Sequence, residues 1–163
     1  MAEYHGWAYA TLFAGLDAID DERYRLDCGL FFRSIHGTLN HLLLADQIWY
    51  GRLVQDPYPA RSLADEVELD RAALRAQLVV RSAVWRRYLE SVDDTALAGA
   101  AHFHRMDGTP ARLPRASCIL HVFNHGTHHR GQVSGAMTQF GGKAPEIDFT
   151  YYLATLAPDA LGI

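Results

Sequence analysis

His121-Val122-Phe123-Asn124-His125-Gly126-Thr127-His128-His129-Arg130-Gly131-Gln132 holds four of the chain's nine histidines within nine residues. Apolar residues keep a three-four rhythm on both sides, through Ile119, Leu120, Val122 and Phe123 before it and Val133, Ala136, Met137 and Phe140 after it. Pro114 stands where a helix opens and Gly141-Gly142 where one stops, so the histidines are predicted to ride one long helix.

On such a helix His125 and His129 project within about 40° of each other, one turn apart, close enough for two imidazoles to hold one ion. His121 continues that face, but about 12 Å of helix separates it from His129, too far for one ion to engage all three. A divalent ion therefore needs a third ligand from another element.

Working outward, the apolar positions Tyr9, Leu12, Phe13, Leu16 and Ile19 predict a first helix over 4–19, which Asp20-Asp21 ends. A second, over 31–53, runs through Leu39, Leu42, Trp49 and Leu53, with Ser34 a candidate cap. It carries His36 and His41, which stand roughly 140° apart on a helix, so only one can face the ion. His41 shares its side with Ala45 and Ile48, an apolar stripe suited to a bundle interior, and is the better third ligand.

Gln55-Asp56-Pro57-Tyr58-Pro59-Ala60 is turn chemistry, and Ser62 to Glu68 reads as an acidic helix start. A third long helix follows over about 69–92, with Leu74, Leu78, Trp85, Leu89 and Val92 as its seam. Its arginines at 71, 75, 81, 86 and 87 read as a solvated face. Residues 98–113 alternate around Asp107-Gly108 and read as a short β-hairpin before the last long helix. After Gly142 the chain turns and forms a short C-terminal helix capped by Asp148. Four long amphipathic helices in 163 residues predict an all-α fold, an antiparallel up-down four-helix bundle in a single domain, 1–163.

Composition narrows the function. Nineteen acidic against fifteen basic residues, the latter fourteen scattered arginines and Lys143, argue against a nucleic-acid partner. No basic leader precedes an apolar run and no stretch approaches a membrane span, so a cytoplasmic location with no membrane partner is expected. Cys28 and Cys118 are too few for a disulfide framework.

Three stretches carry a family resemblance: Ser34-Ile-His-Gly-Thr-Leu-Asn-His41-Leu-Leu-Leu-Ala-Asp46-Gln-Ile-Trp49, then Asn124-His125-Gly-Thr-His128-His129-Arg130-Gly131-Gln132, then Gly142 through Asp148. With them the sequence resembles, over nearly its whole length, the DinB/YfiT-like family of metal-binding four-helix bundles. The resemblance implies metal ligands at His41, His125 and His129, the trio that facing and spacing select. It also implies a homodimer, a nickel or zinc ion, and chemistry akin to S-transferases or isomerases that use a low-molecular-weight thiol.

Other residues have weaker claims. Asp46, His121, His128, Arg130 and Gln132 are candidates to support the ligands or line the pocket. A rival set of Cys118, His121 and His125 would suit zinc, although a buried cysteine and a packed histidine are the plainer reading. His102 and His104 share one side of a strand and are expected at the surface, overhanging the pocket.

Three neutral imidazoles leave an ion's charge free to act on a water or thiol at an open position. Gly126, Thr127 and His128 stand where a zincin would carry its glutamate, and no side chain of the sequence offers itself as a nucleophile. The expectation is a metal-dependent enzyme acting on a small molecule, a thiol S-transferase, isomerase or hydrolase. The alternative is a non-catalytic bundle fastened by metal, with a stress-response or interaction role.

Overall fold

The computed structural model describes residues 1–157. Four long helices, α1 (Ala2–Leu16), α3 (Ile35–Val54), α4 (Arg71–Ser91) and α6 (Arg115–Gln139), form the expected bundle. Shorter helices are α2 (Asp21–Arg25), α5 (Asp94–Ala98) and α7 (Phe149–Leu156). Strands β1 (Ala100–His104) and β2 (Pro110–Pro114) pair antiparallel, His102 opposite Arg112, as the hairpin reading anticipated. α1 lies beside α4 and α6, and α3 beside the same two. The first two long helices thus stand across the bundle from each other, and α3 faces α6.

Several boundaries differ from the sequence reading, each for a local reason. α1 stops at Leu16 rather than Ile19, where the Arg71 guanidinium donates to the Leu16 and Ile19 carbonyls at 2.7 and 2.9 Å. α3 starts at Ile35 rather than Phe31, because Arg33 adopts a left-handed φ of 68° in a tight turn and Ser34 caps the helix. Segment 62–68 is not a helix start: both backbone groups of Glu68 bond to the Asn40 side chain, and α4 begins beyond it with Asp70 as its cap. α5, capped by Asp93, was not anticipated. α7 forms where expected, but Asp148 sits at its cap position without a side-chain capping bond.

The arginines of α4 also do more than face water. Arg75 pairs with Asp17 at 2.7 Å, and Arg81 pairs with Asp46; only Arg86 and Arg87 are left exposed as predicted.

The core has two apolar parts. One gathers Tyr9, Leu12, Leu16, Leu39, Leu74 and Met137; the other Leu53, Trp85, Cys118, Val122 and Phe123. Buried polar residues pack against them, among them His5 from α1, whose ring meets both Tyr9 and Phe123, Asp46 from α3 and Arg130 from α6. Buried polar groups are mostly hydrogen-bonded, and each of these side chains has partners, although the Arg130 Nε has none. The Arg130 Nη atoms donate to His5 Nδ1 at 3.0 Å and Thr127 Oγ1 at 3.1 Å, while Asp46 accepts from Arg81 and from Trp85 Nε1.

Candidate metal centre

α3 and α6 face each other, and that brings the three predicted ligands together. His125 Nε2 lies 3.1 Å from His41 Nε2 and 3.1 Å from His129 Nε2. Two nitrogens bound to one tetrahedral zinc at ~2.0–2.1 Å stand about 3.3 Å apart, so these two spacings suit a shared ion, and the three ligand nitrogens all lie within 4.8 Å of one another.

The protons are placed to suit one. His41 Nδ1 donates to the Leu63 carbonyl at 2.8 Å, and His129 Nδ1 donates to Gln132 Oε1 at 2.7 Å. Each of these neutral rings therefore points a bare Nε2 lone pair at His125. The His125 Nε2 can donate to only one of the two, so at least one close pair of nitrogens has no proton between them unless a cation lies there.

Burial reinforces this. It lowers His41, takes His129 down to about 4 and, with the neighbouring imidazoles, takes His125 down to about 3. All three are neutral at pH 7, the state in which imidazole ligates. Among the described residues this is the one group of three ligand side chains close enough to share an ion.

Local structure fixes the rings. Phe32 stacks on His41 with centroids 3.7 Å apart and planes 14° apart. Gly37 lets the turn before α3 come this close, since a Cβ there would fall 2.1 Å from the Phe32 carbonyl oxygen. Gly126, between two of the histidines, admits His5 against α6: a Cβ there would meet His5 Cε1 at 2.5 Å.

The other candidates fall into distinct places. Gln132 orients His129 and also bonds to the exposed His128 at 3.3 Å. His121 packs against Trp49, centroids 4.8 Å apart, and lines the cleft that opens beside the centre. Asp46 and Arg130 are buried helix ties, and their hydrogen bonds go to residues other than the three ligands. The rival set does not assemble: Cys118 is buried among apolar residues. His102 and His104 are exposed, as expected, and line an adjoining cavity. The sequence reading missed Phe32, His5 and the Leu63 carbonyl. Of these only His5 left a signal, its spacing of four from Tyr9 on a core face.

The cleft beside His41 and His125 has a volume of about 490 Å³ and is walled by Ile48, Trp49, Arg52, Leu63 and the tip of the hairpin. It gives the centre an open side.

Comparison with known proteins places this architecture. The family model described as DinB family matches residues 1–159. The chain belongs to the DinB family. Protein DinB of Bacillus subtilis (strain 168) is 26% identical over 159 residues, covering 94% of this chain and 91% of the relative. Two solved structures share the fold at 18% identity. The DinB-like protein from Bacillus cereus ATCC 10987 has a TM-score of 0.64 over 86% of this chain and 90% of its own. Bacillus subtilis YfiT, described as a probable metal-dependent hydrolase with an unusual four-helix bundle topology, has a TM-score of 0.60 over 86% and 85%. No helix among the described residues is long and apolar enough to cross a membrane.

Proposed function

We propose that this DinB-family chain is a metal-dependent enzyme acting on a small molecule, with His41, His125 and His129 holding a divalent ion through their Nε2 atoms. The observation that carries the reading is the convergence of three neutral imidazoles, two of them aimed by an Nδ1–H bond, beside an open cleft. Three imidazoles suit zinc or nickel. The description of YfiT as a probable metal-dependent hydrolase supports the same class of chemistry.

A divalent ion held there lowers the pKa of a water or thiol at its free position, supplying a nucleophile at neutral pH. The chain's own residues do the rest. Leu63 and Gln132 hold the Nδ1 protons and so keep both rings in the ligating tautomer. Phe32 covers one face of His41 and leaves approach to the cleft side. Among the described residues no serine, threonine, cysteine or lysine lines the cleft, which favours water or a low-molecular-weight thiol as the attacking group and a hydrolase or S-transferase as the reaction.

The test is elemental analysis of protein purified without chelators, wild type against His41→Ala, followed by cobalt substitution and addition of thiols. Stoichiometric metal that disappears with His41, and a thiolate-to-cobalt absorption band, are expected. Metal without any exchangeable position would mean that the ion only fastens α3 to α6. A His41→Ala protein that keeps its metal would overturn the centre.

A further inference from the structure

The cleft carries a second recognition group. His41, Ala45, Ile48 and Arg52 follow one another along one face of α3, and all four line the cleft. Arg52 is half-buried, and its guanidinium carbon sits 4.7 Å from the Trp49 ring centre and 4.6 Å from that of Phe103. Among the described residues its guanidinium makes no ion pair and no hydrogen bond. Trp49 and Phe103 hold it by their ring faces, and its N–H groups have no acceptor among the described residues. Burial lowers its pKa, since a half-buried cation loses part of its hydration.

Among the described residues the one carboxylate lining the cleft, that of Asp107, forms no ion pair with Arg52 and feels Arg105 instead. Arg105 at the hairpin tip lines the same cleft, and so does Asp107, whose carboxylate already accepts from the Thr109 hydroxyl and N–H at 2.6 and 2.9 Å. The histidines add no negative charge. With an ion at the three-histidine centre the cleft is cationic at both ends.

Distance sets the shape of what fits. Eleven residues separate His41 from Arg52, about 16 Å along the helix axis, and a helical arginine leans back toward the N-terminus, here toward His41. His41 leans the same way over a shorter side chain, so the gap between centre and guanidinium is on the order of 10–15 Å, walled by Ile48 and Trp49.

Building on the metal centre proposed above, we propose that Arg52 is the anion-binding end of the substrate site, and that the ligand is an elongated small molecule. Its reactive head lies at the His41/His125/His129 centre, its apolar middle along Ile48 and Trp49, and its carboxylate, phosphate or sulfonate tail on Arg52. Arg105 closes the tail from the hairpin side.

The experiment uses cobalt-loaded protein and two matched probe series, ω-mercapto acids from mercaptopropionate to mercaptoundecanoate and the corresponding mercapto alcohols. Affinity is read from the thiolate-to-cobalt band. Wild type should prefer the acid over the alcohol by about tenfold or more at intermediate length, the range expected of a charge-assisted pair. Arg52→Met should abolish that preference while keeping metal stoichiometry and alcohol affinity, and Arg52→Lys should retain part of it. Equal affinity for acid and alcohol in the wild type, or a preference that survives in Arg52→Met, would overturn the anion site and leave the centre standing. Protein that takes up no cobalt would overturn the centre and this inference together, and protein that takes it up but binds neither series would leave the ion a fastener of α3 to α6 and overturn this inference with the enzymatic reading. Should Arg52→Met not fold, the wild type decides alone: a preference that peaks at intermediate length supports the site, and one that is flat or greatest for the shortest acid refutes it.

Discussion

His129 and Gln132 are joined one turn apart on α6, the imidazole Nδ1 donating to the amide oxygen at 2.7 Å while the same amide's nitrogen reaches His128 at 3.3 Å. Sequence spacing put Gln132 near the ligand face; the bond gives it a task, since a partner on Nδ1 fixes the tautomer and raises the basicity of the ligating Nε2. Gln132→Leu is expected to weaken metal binding by about 10- to 100-fold, the usual cost of losing such a partner, with little change in helical content. Competition against a chromophoric chelator measures it. Gln132→Glu keeps an acceptor and should bind at least as tightly as wild type, and a Glu variant as weak as the Leu variant would remove Gln132 from this role.

Asp46 was a candidate for the centre and proves to be a tie between α3 and α4. It is 5% exposed and accepts from both Arg81 and Trp85 Nε1. Asp46→Ala leaves the Arg81 cation without its carboxylate in a site screened from water, which costs about 3 kcal/mol or more. Urea unfolding should show that loss while metal stoichiometry stays unchanged. Loss of metal from a variant that remains folded would return Asp46 to the centre.

Asn40 treats the 63–68 segment as a strand partner, accepting from the Glu68 N–H at 2.8 Å and donating to the Glu68 carbonyl at 3.0 Å. The same segment supplies the Leu63 carbonyl that orients His41. Asn40→Ala should therefore cost about 1–3 kcal/mol and loosen the grip on His41 as well. Hydrogen exchange isolates the effect: the Glu68 amide is expected to be protected in the wild type and to exchange quickly in the variant.

How far the sequence carried follows from which interactions are local. The helix with His125 and His129 ends where the Gly141-Gly142 pair predicted, because its stop is a local bond, Gly142 N–H to the Met137 carbonyl at 2.9 Å. His41 was legible because a 3.6-residue period places it on an apolar face, and a bundle needs such a face inside. Phe32, Leu63 and the Asn40–Glu68 clamp were not legible, since each joins α3 to irregular chain whose path no period encodes. The order of helices around the bundle was hidden too: all four are similarly amphipathic, and pattern alone does not say which stands beside which.

His5 gives the last prediction. The ring is buried against α6, takes the Arg130 Nη1 proton on its Nδ1 at 3.0 Å, and is held well below its ordinary 6.5 by burial, then by the Arg130 and N-terminal charges. The unfolded chain binds a proton here below about pH 6.5 while the folded chain resists, so the stability His5 contributes is intact above pH 6.5 and falls as the pH drops below it. His5→Gln keeps an acceptor for Arg130 without a group that titrates. In metal-free protein, wild type should be the more stable above pH 6.5, and its advantage over His5→Gln should shrink steadily on acidification. His41, His125 and His129 titrate in both proteins and cancel in the difference. An advantage that stays constant from neutral to acid pH would mean that His5 is not the buried neutral ring that the Arg130 contact describes.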